Sequence, residues 1–215
     1  METTKKYLIL GVLFILPLLA YMFFAKGVNN FSRLPTINEN ALAINAFTDT
    51  KGDSITLKNN ISIISFFGRD IDTTKIFAFN LKEKVYDKNK DFNDFQFVSF
   101  IAPGYNQEIE QFKDQINQTT DAYKWHFVEL SPEKIKQVFK ALGTDKQLSA
   151  NYSSNYAFII GKNGALRGRK DDEDEGIKYG YNMASVADLN NKMEDDVKII
   201  LAEYRLALKK NDKHK

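Results

Sequence analysis

The sequence predicts an α/β fold in which helices cover both faces of a mixed central sheet. Three observations predict it. Four runs rich in β-branched and aromatic residues, at 60–68, 95–102, 125–130 and 156–161, read as strands buried on both faces. Segments with apolar residues at helical spacing separate them. A long amphipathic stretch at 185–209 closes the chain. With 215 residues, 43% of them hydrophobic, the chain can bury a core without disulfides or metal staples.

The chain opens with residues 1–6, which include Lys5 and Lys6. Residues 7–24, YLILGVLFILPLLAYMFF, carry no charge over 18 positions. As a helix rising about 1.5 Å per residue, the run covers most of a bilayer core of about 30 Å. Tyr7, Tyr21, Phe23 and Phe24 lie near its ends, as interfacial aromatics do, and Pro17 is tolerated in a span. The run exceeds the apolar region of a cleaved signal peptide, and no A-x-A site follows it. The expectation is therefore an uncleaved signal anchor with the lipid bilayer as its partner. Lys5 and Lys6 before the span, against Lys26 and Arg33 after it, bias the N-terminus weakly toward the cytoplasm. That orientation describes a single-pass protein of the inner (cytoplasmic) membrane with a periplasmic C-terminal domain. Residues 25–42, with Gly27, Asn29, Asn30, Ser32, Pro35 and Asn38, read as a linker. The body is expected over 43–209 and a polar tail over 210–215.

In the body, extended runs at 44–49 and 54–58 flank a turn containing Gly52, which suggests a hairpin. The strand at 60–68 leads into a helix over 72–87, with Ile76, Phe79, Glu83 and Tyr86 at helical spacing and Asp72 or Thr73 as its cap. The strand at 95–102 ends at Pro103-Gly104. Ile109, Phe112 and Ile116 mark an amphipathic helix over 106–118. After the strand at 125–130, Ser131-Pro132-Glu133 reads as N-cap, first-turn proline and early acid of a helix that Gly143 stops. Asn163-Gly164 predicts a tight hairpin between 156–161 and 165–169, with positive φ at both central positions. The last helix carries a stripe from Val186 through Leu189, Met193, Val197, Leu201 and Tyr204 to Leu208. The resulting order, β-β-β-α-β-α-β-α-β-β-α, is that of an elaborated thioredoxin-like fold.

Composition removes many functions. The net charge of +2 gives no field that points to nucleic acid, and no nucleic-acid partner is expected. With no cysteine, the chain has no thiol nucleophile, CxxC redox pair or thiolate metal site. It has no Gly-rich phosphate loop, G-x-S-x-G or HExxH motif. No enzyme activity, cofactor or metal is expected.

Several segments, in order, resemble the Sco/SenC proteins over about 47–207. These are Phe47-Thr48-Asp49 with Gly52 to Leu57, Ile64 to Gly68, Phe97 to Phe100, Trp125-His126-Phe127, and Phe158 to Gly164. The resemblance implies a membrane-anchored thioredoxin-like domain and a neighbourhood of respiratory-oxidase assembly. Members of that family bind copper through a C-x-x-x-C loop and a distal His. Those positions correspond to Asp70, Thr74 and, within a residue or so, Ser153. A carboxylate and two hydroxyls are poor ligands for Cu(I), and thiol–disulfide exchange needs a thiolate. The resemblance is thus to a divergent, cysteine-less member with a degenerate active loop.

Two segments are candidate binding sites. Arg69 and Asp72, with Asp70, Thr73 and Thr74, offer a polar loop for an anion or a hard cation; the plainer alternative is helix capping. Asp171, Asp172, Glu173, Asp174 and Glu175 form the densest charge run, directly after Arg167 to Lys170. That run suits a basic partner, Ca²⁺, or a solvated loop with locally balanced charge, and it lacks EF-hand spacing. His126, His214 and the Tyr179-Gly180-Tyr181 segment read as packing or surface residues. The expected function is non-catalytic: a binding or assembly accessory whose protein partner is an oxidase subunit or assembly factor, or another envelope complex. The alternatives are a hard-metal or anion-binding domain (or non-thiol enzyme) using the two segments, and a structural subunit of a membrane complex.

Overall fold

The computed structural model describes residues 2–25, 33–42 and 46–212. Two compact units, 1–32 and 33–215, are described separately. In the first, helix α1 (Glu2–Ala25) contains Pro17. Leu13, Phe14, Leu16, Leu18 and Tyr21 are exposed along it. Among the described residues no helix is long and apolar enough to cross a membrane. Five side chains of the 7–24 run, at 8, 9, 20, 23 and 24, lie outside the described residues, as do residue 43 and His214.

The second unit is built on a sheet of seven strands: β1 (Thr36–Asn38), β4 (Ile61–Gly68), β5 (Phe95–Ile101), β6 (Trp125–Glu129), β7 (Tyr156–Ile160), β8 (Leu166–Arg167) and β11 (Tyr181–Asn182). The order is β1-β8-β7-β4-β5-β6, with β11 also paired to β7. Strands β4, β5 and β6 are parallel, and β7 runs antiparallel to both β4 and β8. This is a thioredoxin-like α/β arrangement. The crossovers are α2 (Ile71–Leu81) with α3 (Asp87–Asn89), then α4 (Asn106–Asn117), then α5 (Pro132–Leu142). The chain closes with α6 (Val186–Asp188) and α7 (Glu194–Asp212). Two small hairpins complete it: β2 (Ala46–Thr48) with β3 (Ser54–Thr56), and β9 (Arg169–Asp172) with β10 (Gly176–Lys178).

Strand β4 explains why its sequence shows no polar–apolar alternation. All eight of its residues are buried. Ile61, Ile63 and Phe67 enter a core with Ile109, Phe112, Val197 and Ile200. Ile64 and Phe66 enter a second core with Phe47, Ile135 and Phe139. Two apolar faces make a continuous apolar strand. Truncating Phe67 or Phe66 to Ala should cost about 3–5 kcal/mol. The polar interruptions are satisfied: Ser65 and Ser99 hydroxyls lie 2.7 Å apart, and the Trp125 indole donates to Ser99 at 2.9 Å.

Several expectations need correction. Residues 33–42 are not a free linker. Leu34, Ala41 and Leu42 are buried, β1 pairs with β8, and the Leu42 amide donates to the Gly164 carbonyl at 2.9 Å. The Arg167 guanidinium also donates to the Leu34 carbonyl. The helix expected at 72–87 begins at Ile71 and passes through a π-helical turn, Lys82–Tyr86, into α3. Its buried face is Ile71, Thr74, Ala78 and Leu81, while Ile76 is 61% exposed. The inserted residue of the π turn shifts the spacing that suggested the other stripe. A second π-helical turn, Leu189–Met193, joins α6 to α7, and Val186 lies outside the buried stripe. At the 161–165 turn only Gly164 takes positive φ, 81°, because its amide closes a bond to the Gly161 carbonyl and Asn163 stays in the ordinary region. The Ser131 cap and the left-handed stop at Gly143 (φ 65°) are present as expected.

Candidate functional site: a locked active loop

The loop between β4 and α2 sits where a thioredoxin-like fold keeps its chemistry. Gly68 takes φ 56°, and a Cβ there would lie 2.2 Å from the Asn151 carbonyl oxygen. Only glycine permits this crossing of the 149–153 segment. The crossing is fixed by the Arg69 amide donating to the Asn151 carbonyl (2.8 Å) and the Ser154 amide donating to the Phe66 carbonyl (2.9 Å).

At the crossing, three side-chain donors surround the Asp70 carboxylate. Asn151 Nδ2 donates to one oxygen at 2.6 Å, and the Ser153 and Ser149 hydroxyls lie 2.6 and 3.3 Å from the other. The Ser149 and Ser153 hydroxyls lie 2.7 Å apart, so the single Ser149 proton goes either to Ser153 or to Asp70, not to both. Thr74 is buried and its hydroxyl donates to the Asp70 carbonyl at 2.6 Å. The structure thus brings together Asp70, Thr74 and Ser153, the three positions that the resemblance assigns to copper ligands. It adds Ser149 and Asn151, which sequence reasoning missed; they lie about eighty positions from Asp70, and no local pattern marks them.

Asp70 is also the N-cap residue of α2, yet its side chain makes no capping bond. The expectation that Asp72 or Thr73 caps α2 is therefore corrected. Asp72 is exposed and pairs with Lys75 at 2.6 Å, one turn along the helix. Arg69 is exposed, and its guanidinium stands 5.3 Å from the Tyr152 ring centroid, with Lys136 5.1 Å from the same centroid. Tyr152 has φ 63°, the left-handed region that a bulky residue rarely occupies.

In chemical terms the loop is a buckle. Its carboxylate is satisfied by neutral donors, and its hydroxyls are engaged with that carboxylate or with the backbone. Asp70 and Asp72 do not converge on a common point: one faces the serines and the other Lys75. Among the described residues no group of three or more His, Asp or Glu side chains has the geometry to hold a metal.

The acidic run behaves differently. Asp171 and Asp172 end β9, Glu173–Glu175 form the turn, and β10 returns. Asp172 is buried; it accepts from Lys192 Nζ at 2.7 Å and from the amides of Asp174 and Glu175. Burial raises its carboxyl, but these donors outweigh that and hold it below the usual carboxylate range. Lys192 also holds Asp174 at 2.7 Å. Glu175 is shared by Lys146 (2.7 Å) and the buried Lys178 (2.5 Å), which hold its carboxyl down against the opposing effect of burial. Beneath the hairpin, Arg169 makes two bonds to the buried Asp196, at 2.7 and 3.0 Å, and the Tyr181 hydroxyl donates to the same carboxylate at 2.5 Å. Asp171 and Glu173 are exposed and make no ion pair among the described residues.

His126, on β6, has Nδ1 3.3 Å from Asp49, a buried carboxylate that caps the β2–β3 turn through the amides of Lys51 and Asp53. Burial lowers the His126 pKa and outweighs the opposing pull of Asp49. Tyr181 is fully buried; Tyr179 is partly buried against the second core.

No family model and no curated protein matches the chain. Solved structures similar to it include BsSco, described as a member of the Sco family of cytochrome c oxidase assembly proteins (16% identity, TM-score 0.47, covering 76% of this chain and 92% of that one). Another is the soluble domain of Sco1 from Bacillus subtilis (16% identity, TM-score 0.47, covering 77% and 94%). A third is a thiol:disulfide interchange protein of the thioredoxin family from Chlorobium tepidum TLS (14% identity, TM-score 0.46, covering 79% and 98%). The chain is similar to thioredoxin-like proteins, Sco proteins among them, and it carries the fold without a single cysteine.

Proposed function

We propose that the chain is a membrane-anchored, non-catalytic Sco-like protein that acts by binding, as an accessory in the assembly of a respiratory oxidase or another envelope complex. The observation that carries this reading is the buckle at Asp70. The loop that would present a nucleophile or metal ligands spends its carboxylate on Ser149, Asn151 and Ser153, and nothing in it is a thiolate. Such a loop is rigid and polar, suited to holding shape and unsuited to electron or copper transfer. The partner is a protein, an oxidase subunit or an assembly factor.

The anchor in this reading is the 7–24 run. It is uncharged, and its described apolar side chains are exposed, which lipid resolves and water does not. The body lies outside the cytoplasm, on the periplasmic side of the inner membrane. A tagged full chain, purified from solubilised membranes, tests the proposal. Co-purification of an oxidase subunit or assembly factor is expected. Recovery of the chain alone, under conditions that keep the oxidase intact, counts against it.

The hard-metal alternative gains no support from the geometry. Lysines hold Asp172, Asp174 and Glu175, and Asp70 and Asp72 face different partners.

A further inference from the structure

Beside the buckle, α5 and the segment after it line an open surface depression of about 410 Å³. Its floor is apolar: Phe139 is buried and Leu148 packs against the same core. Its walls are basic, with Lys136 and Lys140 one turn apart on α5 and Lys146 in the segment after it.

The three lysines are not equivalent. Lys146 is claimed by Glu175 at 2.7 Å and Asp145 at 3.4 Å. Lys136 and Lys140 are exposed and make no ion pair among the described residues. Two like charges spaced i, i+4 on a helix repel each other. Lys140, in the last turn, gains from the helix dipole, but Lys136, a turn earlier, does not. Lys136 also lies over Tyr152, whose left-handed backbone carries a strain of about 1–3 kcal/mol. An exposed cation with no ion pair among the described residues, seated over the neighbouring Tyr152 ring, therefore stands on the rim of an apolar-floored cleft. The lining residues include no arginine fork of the kind that suits phosphate (Arg69 stands over the Tyr152 ring, outside the lining), and the floor suits a side chain more than a free ion.

We propose that this cleft docks an acidic peptide segment of a partner protein, with carboxylates on Lys136 and Lys140 and one apolar side chain on Phe139 and Leu148. This rests on the reading that the chain works by binding and names where that binding occurs. The acidic hairpin, tied to the cleft wall through Lys146 and Glu175, sets a limit on the occupant: acidic side chains belong on the α5 side, away from Asp171 and Glu173.

The test uses the full chain in nanodiscs of neutral lipid, titrated with a blocked pentapeptide of alternating Asp and Glu around a central Phe. Saturable, salt-weakened binding is expected. It should fall about tenfold in the double variant K136E/K140E and severalfold in Leu148→Ser, and stay unchanged in K58E, which reverses an exposed lysine elsewhere. Thermal melts of each variant separate lost binding from lost folding. The proposal is overturned by no saturable binding, by binding indifferent to K136E/K140E, or by equal binding of the lysine-substituted peptide. Equal competition by inorganic phosphate, or by vesicles of anionic lipid, also overturns it, since either would make the cleft a general anion surface. If the membrane pull-down recovers its partner equally with K136E/K140E, the binding reading stands and the cleft assignment falls.

Discussion

The two polar segments that stand out in the sequence solve one problem in opposite ways. At the active loop a carboxylate is held by neutral donors that arrive from about eighty positions away. At the acidic hairpin, carboxylates are held by cations, one of them three positions away and none further than twenty-nine. The first arrangement joins distant parts of the fold and depends on a backbone crossing that only Gly68 allows. The second is a local charge network with one buried anchor, Arg169 to Asp196. The buckle shapes a site, whereas the hairpin neutralises itself and leaves Asp171 and Glu173 to solvent.

The largest effect expected from this contrast lies under the hairpin. Arg169→Ala leaves Asp196 buried with the Tyr181 hydroxyl as its remaining donor and removes a second, more distant cation (3.8 Å) from Asp172. Urea unfolding should show a loss of about 3–5 kcal/mol, the cost of stranding a buried charge. A loss below about 1 kcal/mol would mean the anchor contributes little and would break the distinction between anchor and tip.

Gly68→Ala should come next, at about 3 kcal/mol, because the new Cβ meets backbone and the residue must hold positive φ. A near-neutral result would mean the 149–153 segment can move aside and the crossing is not fixed. Ser153→Ala should cost about 1.5–3 kcal/mol, one hydrogen bond to a carboxylate, and its loss should change little with salt, since the donor is neutral.

Acid separates the regions further. Asp172 and Glu175 are held below the ordinary carboxylate range in the folded chain. The unfolded chain therefore takes up these protons first as pH falls. Their contribution is present above the ordinary carboxylate range and is lost as pH falls through and below it. Hydrogen-exchange protection of 169–178 should decline there before that of β4. At the small end, Asp174→Asn removes an ion pair with one largely exposed partner and should shift stability by no more than about 0.5 kcal/mol, less in high salt.

What could be read from the sequence follows the same division. Strands β4, β5, β6 and β7 were legible because burial on both faces demands long apolar runs, and the Ser131-Pro132 start and Gly143 stop of α5 are local signals. Strands β1, β9, β10 and β11 were not: they are two to four residues long, and Arg169 to Asp172 is a charged segment whose pairing depends on a turn and on Lys192. The π-helical turn at Lys82–Tyr86 puts Tyr86 out of regular phase with the helix before it, so a stripe counted at constant spacing runs through Ile76, which lies exposed. At the site, Asp70, Thr74 and Ser153 came from the resemblance. Ser149 and Asn151 did not, because a serine and an asparagine in a polar loop carry no period and no motif.

The central claim, that a locked thioredoxin-like scaffold acts through binding in the assembly of a membrane complex, is tested most directly by blue-native electrophoresis. Membranes would be compared with and without the chain, the chain itself followed by immunoblot. The account predicts that the chain migrates with sub-complexes, and that without it those sub-complexes accumulate while the mature oxidase or other complex declines. A chain that migrates alone, with every respiratory complex at full abundance in its absence, would contradict it.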